Sequence, residues 1–287
     1  MNPAARRCAE ALNSFHSIAY FAPDLDEELA EHGVDDPMAA YLAGRAAPLG
    51  AVGPGTVVAA FNAFAPDLVA RHVPAVWDKV SPSEALVARL RAADAVLSRL
   101  LPAELLGSPE VAEAATLAIR AIDACRQPGR PLFSGNADLR IPREPHLALW
   151  HCATLLREHR GDGHVIALCA AELGGLDALV SHCASPSGMP KAVVMAKRGW
   201  TEQDWAGAED RLRERGLMGA SGELTAAGSR LRDDVEAATD RLDRRPYERL
   251  GATAVALLTD VTTRLTRAAA DAGAFPPVLR GFFVPAA

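Results

Sequence analysis

The densest group of chemically competent residues is the run Arg157-Glu158-His159-Arg160-Gly161-Asp162-Gly163-His164. Two guanidiniums, Arg157 and Arg160, suit bidentate capture of a carboxylate, sulfate or phosphate. Imidazoles titrate near neutrality, so His159 and His164 each qualify as a general acid or base. Asp162 is placed to orient the site and to cap a following helix, whose first amides would add to the anion contacts. Gly161 and Gly163 permit close backbone approach and positive φ. A charged helix end, turn and cap would carry the same letters. The apolar flanks HLALWHCATLL and VIALCAAEL favour the site, because a turn that needed only solubility would not require this set of groups between them.

Weaker candidates lie elsewhere. Arg45, in GRAAPLG, is either a second anion contact or a helix C-terminal cation meeting the dipole. His16 sits one helical turn before Tyr20, as a ligand contact or as an amphipathic helix end. Asn136 is either a polar contact or a turn residue. Other chemistries lack their signatures: there is no HExxH or CxxC pair, no Walker loop or GxGxxG after a strand, and no GxSxG elbow. The chemistry expected is therefore metal-independent and cofactor-free.

The elements that must position these residues are helical. Apolar residues recur at steps of three or four from Ser83 to Leu101, behind a Ser81-Pro82 start, and again after Ser108. Residues 126–145 (RQPGRPLFSGNADLRIPREP) show no helical period and read as a connection. The expected organisation is an N-terminal helical half (1–127), a connection (128–145) and a C-terminal half (146–287). In the second half, helices are expected over His146–Arg160, over Val165–Cys183 with a Gly174-Gly175 interruption, from Thr201 to Arg215 before a left-handed Gly216, and over Tyr247–Ala272. Between the last two, GLMGASGELT reads as two very short strands joined at Ser221-Gly222, then a helix capped by Thr225. DLVARHV (67–73) also matches DALVSHC (177–183), which either a duplication of the two halves or chance in an Ala- and Leu-rich chain would explain. The fold class expected is all-α with a small β-hairpin wing, with two duplicated winged-helix-like halves as one form of it.

Composition agrees. The chain has 287 residues, 49% hydrophobic and 23% charged, enough for a sizeable core, and only 5% aromatic, which favours Ala/Leu-rich helices over sheets. No apolar run approaches the roughly 20 residues of a membrane span. The first 25 residues contain no signal-peptide core, and five widely spaced cysteines suit buried thiols, so a cytoplasmic location is expected.

The second half resembles MarR-type winged-helix proteins, in which a recognition helix ends in a basic-Gly-Leu corner before a hairpin wing and an LTxxG helix start. Here these are Arg215-Gly216-Leu217 and Leu224-Thr225-Ala226-Ala227-Gly228. Through FHSIAYFAPD, GRAAPLG, LREHRGDGHV and the RGL segment, the whole chain also resembles a poorly characterised actinobacterial helix-turn-helix-like family. That resemblance implies a fold more than an activity, and places the protein in specialised metabolism. DNA binding is disfavoured by charge: Trp200–Glu223 carries six acidic residues against Arg211, Arg213 and Arg215, and the net charge is −6. The leading expectation is an enzyme or specific binder for a small anionic or polar metabolite, by acid/base elimination or cyclisation. In it, Arg157, Arg160, Arg45, His16 and Asn136 contact substrate, and His159, His164 and Asp162 do the chemistry. A ligand-responsive MarR-like transcription regulator is the alternative, and a subunit that needs a protein partner or second copy is a third.

Overall fold

The computed structural model describes residues 1–186 and 188–284. In chain order its α-helices are α1 (Pro3–Ser17), α2 (Asp24–Ala30), α3 (Pro37–Ala46), α4 (Pro54–Phe61), α5 (Pro66–His72), α6 (Pro82–Leu100), α7 (Ala103–Leu106), α8 (Pro109–Ile122), α9 (Pro131–Ala137), α10 (Pro145–Ala170), α11 (Gly175–Cys183), α12 (Lys191–Arg198), α13 (Glu202–Glu214), α14 (Ala226–Leu250), α15 (Ala252–Asp271) and α16 (Arg280–Phe283). Many begin with proline, which loses no bond there because the first helical N–H has no intrahelical partner. Reciprocal capping boxes close α6 (Ser81 with Glu84) and α13 (Thr201 with Asp204).

The long α10 runs through the centre and is buried on most of its circumference. Around its first half, α1, α6, α8, α14 and α15 close one core, in which Cys8, Leu12 and Phe15 of α1 belong to the same cluster as Leu258, Val261 and Leu265 of α15. A second core joins α2 to α6 around Leu42, Phe64 and Val69, with Leu132 of α9. The third lies under α11, α12 and α13, where Trp205 and Leu212 meet Leu168 of α10 and Val235 of α14. Among the described residues no single helix is long and apolar enough to cross a membrane.

All-α is the class found, but the wing is not. Among the described residues there is no strand; only an isolated antiparallel bridge joins Met218 to Leu224. Gly219 N–H donates to the Glu223 carbonyl (2.8 Å) and Thr225 N–H to the Leu217 carbonyl (3.1 Å). Five residues between two paired ones turn the chain at once, so no ladder develops, and a winged-helix half, single or duplicated, is not what these residues build. Gly216 does take its left-handed conformation (φ 68°) after α13.

Three other expectations change. The run 157–164 is not a turn but the interior of α10, so Asp162 caps no following helix and neither glycine there has positive φ. The 128–145 connection contains α9. The last long helix starts not at Tyr247 but after Gly251 (φ 78°), because α14 continues to Leu250.

Candidate functional site

As an uninterrupted helix, α10 sends successive residues of the 157–164 run to different neighbours. Arg157 turns to α1, where its Nε donates to Asn13 Oδ1 at 3.1 Å, and also donates to the adjacent Glu158. Glu158, 2% exposed, faces α3: Arg45 Nε lies 3.3 Å from its Oε1 and Arg45 Nη2 3.1 Å from its Oε2. Burial works to raise the Glu158 carboxyl, but Arg45 and then Arg157 overcome it and hold the group at about 2. It is a carboxylate between two guanidiniums.

His159 and Asp162 point elsewhere. His159 Nε2 accepts the Arg126 N–H (3.3 Å), so Nδ1 carries the proton and donates it to Asp243 (2.6 Å), leaving neither nitrogen free. Asp162 accepts the Phe133 N–H (2.9 Å) and thereby caps α9 from across the interface. Burial raises its carboxyl to about 7 against the pull of that amide. Arg130 donates to the His159 carbonyl and packs on Gly163, where a Cβ would lie 2.7 Å from Arg130 Nη1. The glycine is there for space.

Arg160 reaches α14, with Nη1 2.9 Å from Asp240 Oδ1 and Nη2 3.5 Å from Glu236. His164 Nδ1 lies 2.9 Å from Thr239 Oγ1, whose own hydrogen goes to the Val235 carbonyl. Thr239 must therefore accept from Nδ1–H, and His164 Nε2 is left as a lone pair with no partner among the described residues. Arg45, Arg157, Glu158, Arg160, Gly161 and His164 line one cavity of about 300 Å³ between α1, α10 and α14. Four of the sequence candidates thus share a wall, while His159 and Asp162 do not reach it.

Inward from Glu158 lies an aromatic belt that the sequence reading largely missed. His16 meets Tyr20 edge-on (4.9 Å) and stacks on Trp150 (5.6 Å); Tyr20 packs on Tyr41 (5.4 Å), and Tyr41 on Phe64 (5.7 Å). Guanidiniums lie on these rings: Arg157 over Tyr20 (5.5 Å), Arg45 over Phe61 (4.2 Å) and Arg198 over Phe64 (4.2 Å). Arg89 is held by the Gly44 carbonyl (3.1 Å) and by Asn136 Oδ1 (3.0 Å), which makes Asn136 a positioning group for an arginine. Burial would raise the Tyr41 phenol, yet Arg45, Arg198 and Arg157 bring it down to about 8. That is the signature of positive charge around the phenol: three arginines act on Tyr41, while Glu158 faces two of them, Arg45 and Arg157. The Tyr41–Arg45 spacing of four residues was the available signal.

The corner between α12 and α13 is fastened to this belt. Ala65 N–H donates to the Arg198 carbonyl (2.9 Å), and Trp200 Nε1 to the Ala63 carbonyl (3.0 Å). Gly199 (φ 75°) sits so close to Leu68 that a Cβ would fall 2.6 Å from the Leu68 Cβ. On α13 the basic groups are spent internally: Arg211 pairs with Asp177, Arg213 with Glu209 and Asp210, and Arg215 donates to the Glu172 and Ala171 carbonyls. Among the described residues no three His, Cys, Asp or Glu side chains converge as a metal site would require.

No curated protein and no solved structure matches the chain. A family model described as a helix-turn-helix family matches residues 5–276, nearly the whole length. On that match the chain is a member of a helix-turn-helix family.

Proposed function

We propose that this protein is a ligand-responsive regulator of the helix-turn-helix type, in which an organic anion held at the arginine-rich belt biases how the helix-turn-helix unit sits. The observation that carries this reading is the fastening of Arg198 and Trp200 to the 63–65 segment, whose central residue Phe64 packs on Tyr41 of the belt. An occupant that moves Tyr41 or Arg45 moves the seat of the α12–α13 corner.

The acidic α13 is a poor phosphate partner, and α14 supplies the positive surface instead. Arg241, Arg245 and Arg249 are exposed and recur every four residues, one row on one helix face. Like charges in such a row repel one another, and a polyanion relieves that repulsion. A gel shift on the DNA upstream of the protein's own coding sequence tests the reading. Retardation at low salt is expected, lost in Arg241→Glu/Arg245→Glu and altered by Trp200→Phe. No retardation at low salt sinks it.

One observation favours turnover as a second reading. The unpartnered Nε2 lone pair of His164 opens beside Arg157 and Arg160 on the 300 Å³ cavity, where it can take a proton from an anionic substrate. Metabolite depletion by the wild type but not by His164→Gln, followed by mass spectrometry, would support it; identical traces would exclude it.

A further inference from the structure

The exposed charges of α14 are sorted along its length. On other helices they pair locally, Arg213 with Glu209 and Arg264 with Asp260, each at 3.0 Å and one turn apart. On the outer face of α14 an acidic pair, Asp233-Asp234, comes first, then Ala237, then a basic group of Arg241, Arg244 and Arg245. Exposed Arg230 and Glu248 flank this stretch. Arg244 pairs with Glu248 at 3.6 Å, whereas Asp233, Asp234, Arg241 and Arg245 have no ion pair among the described residues. The helix continues past Pro246, and the Leu242 carbonyl, which Pro246 cannot bond, accepts from Arg130 at 2.9 Å.

Helical spacing makes this order self-complementary. Asp233 and Arg244 are 11 residues apart, as are Asp234 and Arg245, which is about three turns; Arg230 and Glu248 are 18 apart, about five turns. Each pair therefore shares one side of the face, and all three are centred near residue 239. A second α14 laid antiparallel, with a two-fold axis level with residue 239, sets Asp233 of each copy opposite Arg244 of the other, Asp234 opposite Arg245, and Arg230 opposite Glu248. Arg241, one turn before Arg245, reaches the same Asp234 and faces Ala237, whose methyl leaves room for it. A parallel neighbour in register would set like against like.

We infer that the outer face of α14 docks a second copy of this chain, as a two-fold dimer in which each of these ion pairs is made twice. Charge selects this occupant over an unrelated acidic partner, which would leave Asp233 and Asp234 facing like charge. Exposed pairs are individually weak and screened by salt, so the dimer is salt-labile. The dimer goes beyond the regulator reading. Only its consequence rests there, since Arg241 and Arg245 cannot serve a second copy and DNA at once.

Sedimentation equilibrium of the full chain without DNA tests this. A dimer is expected at about 50 mM salt and a monomer at about 500 mM. Asp233→Lys/Asp234→Lys and Arg244→Glu/Arg245→Glu, each alone and checked for helix content by circular dichroism, should weaken association roughly tenfold or more, because like charges then face each other. An equimolar mixture of the two variants should recover it, since opposite charges meet again at all four positions. A wild type that stays monomeric at about 50 mM salt overturns the inference. So does a dimer that either variant retains alone, or a mixture that fails to recover. The gel shift is read separately, so failure here leaves the regulator reading standing.

Discussion

Arg45 on α3 and Glu158 on α10 meet through two N–O contacts of 3.3 and 3.1 Å, 113 residues apart in the chain, with only 13% and 2% of their side chains exposed. With Arg157 as the second cation, the carboxylate is the one negative group among the belt's arginines. Removing its charge with Glu158→Gln leaves buried guanidiniums uncompensated and is expected to destabilise the fold by about 3–5 kcal/mol. Urea denaturation measures the loss. Added phosphate should recover part of it in the variant more than in the wild type, because an anion that binds only the folded state stabilises by mass action.

Tyrosine absorbance provides an independent reading of the same field. The chain has three tyrosines. Tyr41 is brought down to about 8, whereas burial pushes both Tyr20 and Tyr247 above the usual phenol value. A titration followed at 295 nm should show one phenol ionising near pH 8 and two well above it, and Tyr41→Phe should delete the first step. A single step near the ordinary phenol value would contradict the surplus of positive charge around Tyr41.

The pH dependence of stability has a definite sign at Asp162. Its carboxyl is raised by burial to about 7, above the unfolded value of 3.8, so the folded chain holds a proton that the unfolded chain releases in between. Stability contributed by the protonated form is present below pH 4 and is lost as pH rises toward 7. Asp162→Asn, which keeps an oxygen for the Phe133 amide, should flatten that decline and gain on the order of 2 kcal/mol at pH 7.5 by chemical denaturation.

Gly163→Ala sets two effects against each other. Alanine improves helix propensity by about 1 kcal/mol in a helix interior. Its methyl, however, would sit 2.7 Å from Arg130 Nη1, and Arg130 is held in place by the His159 and Leu242 carbonyls. Overpacking a fixed group costs about 1–3 kcal/mol, so a net loss is expected. Gly161→Ala, whose Cβ would meet only Glu158 Oε2 at 3.7 Å, should be neutral or stabilising.

Helix starts were legible because their signals are local. The Ser81 and Thr201 boxes, Pro at first positions and Gly216 all act within one turn of the chain. The continuity of α10 was not, because Gly161 and Gly163 read as breakers until Arg130, 33 residues away from Gly163, is seen to need the space. The arginines of the site were visible as residues, but not their division of labour: Arg160 ties α10 to α14, while Arg45 turns inward to Glu158. Arg89 escaped notice since nothing near it in sequence marks it, its partners coming from α3 and α9, whereas Tyr41 was marked only by the four-residue step to Arg45 on its own helix. The wing failed for a further reason: turn residues flanked by Leu and Met predict a bend, and whether strands follow depends on length the segment does not have.

The pairing of α1 with α15 governs the order of events at the ribosome. Part of the apolar stripe of α1 is covered by α10, and the rest finds its cover only when residues beyond 250 have emerged. At roughly 5–20 residues per second, that remainder stays bare for tens of seconds while the intervening helices assemble. The nascent chain therefore closes like a clasp, α1 and α15 locking together last.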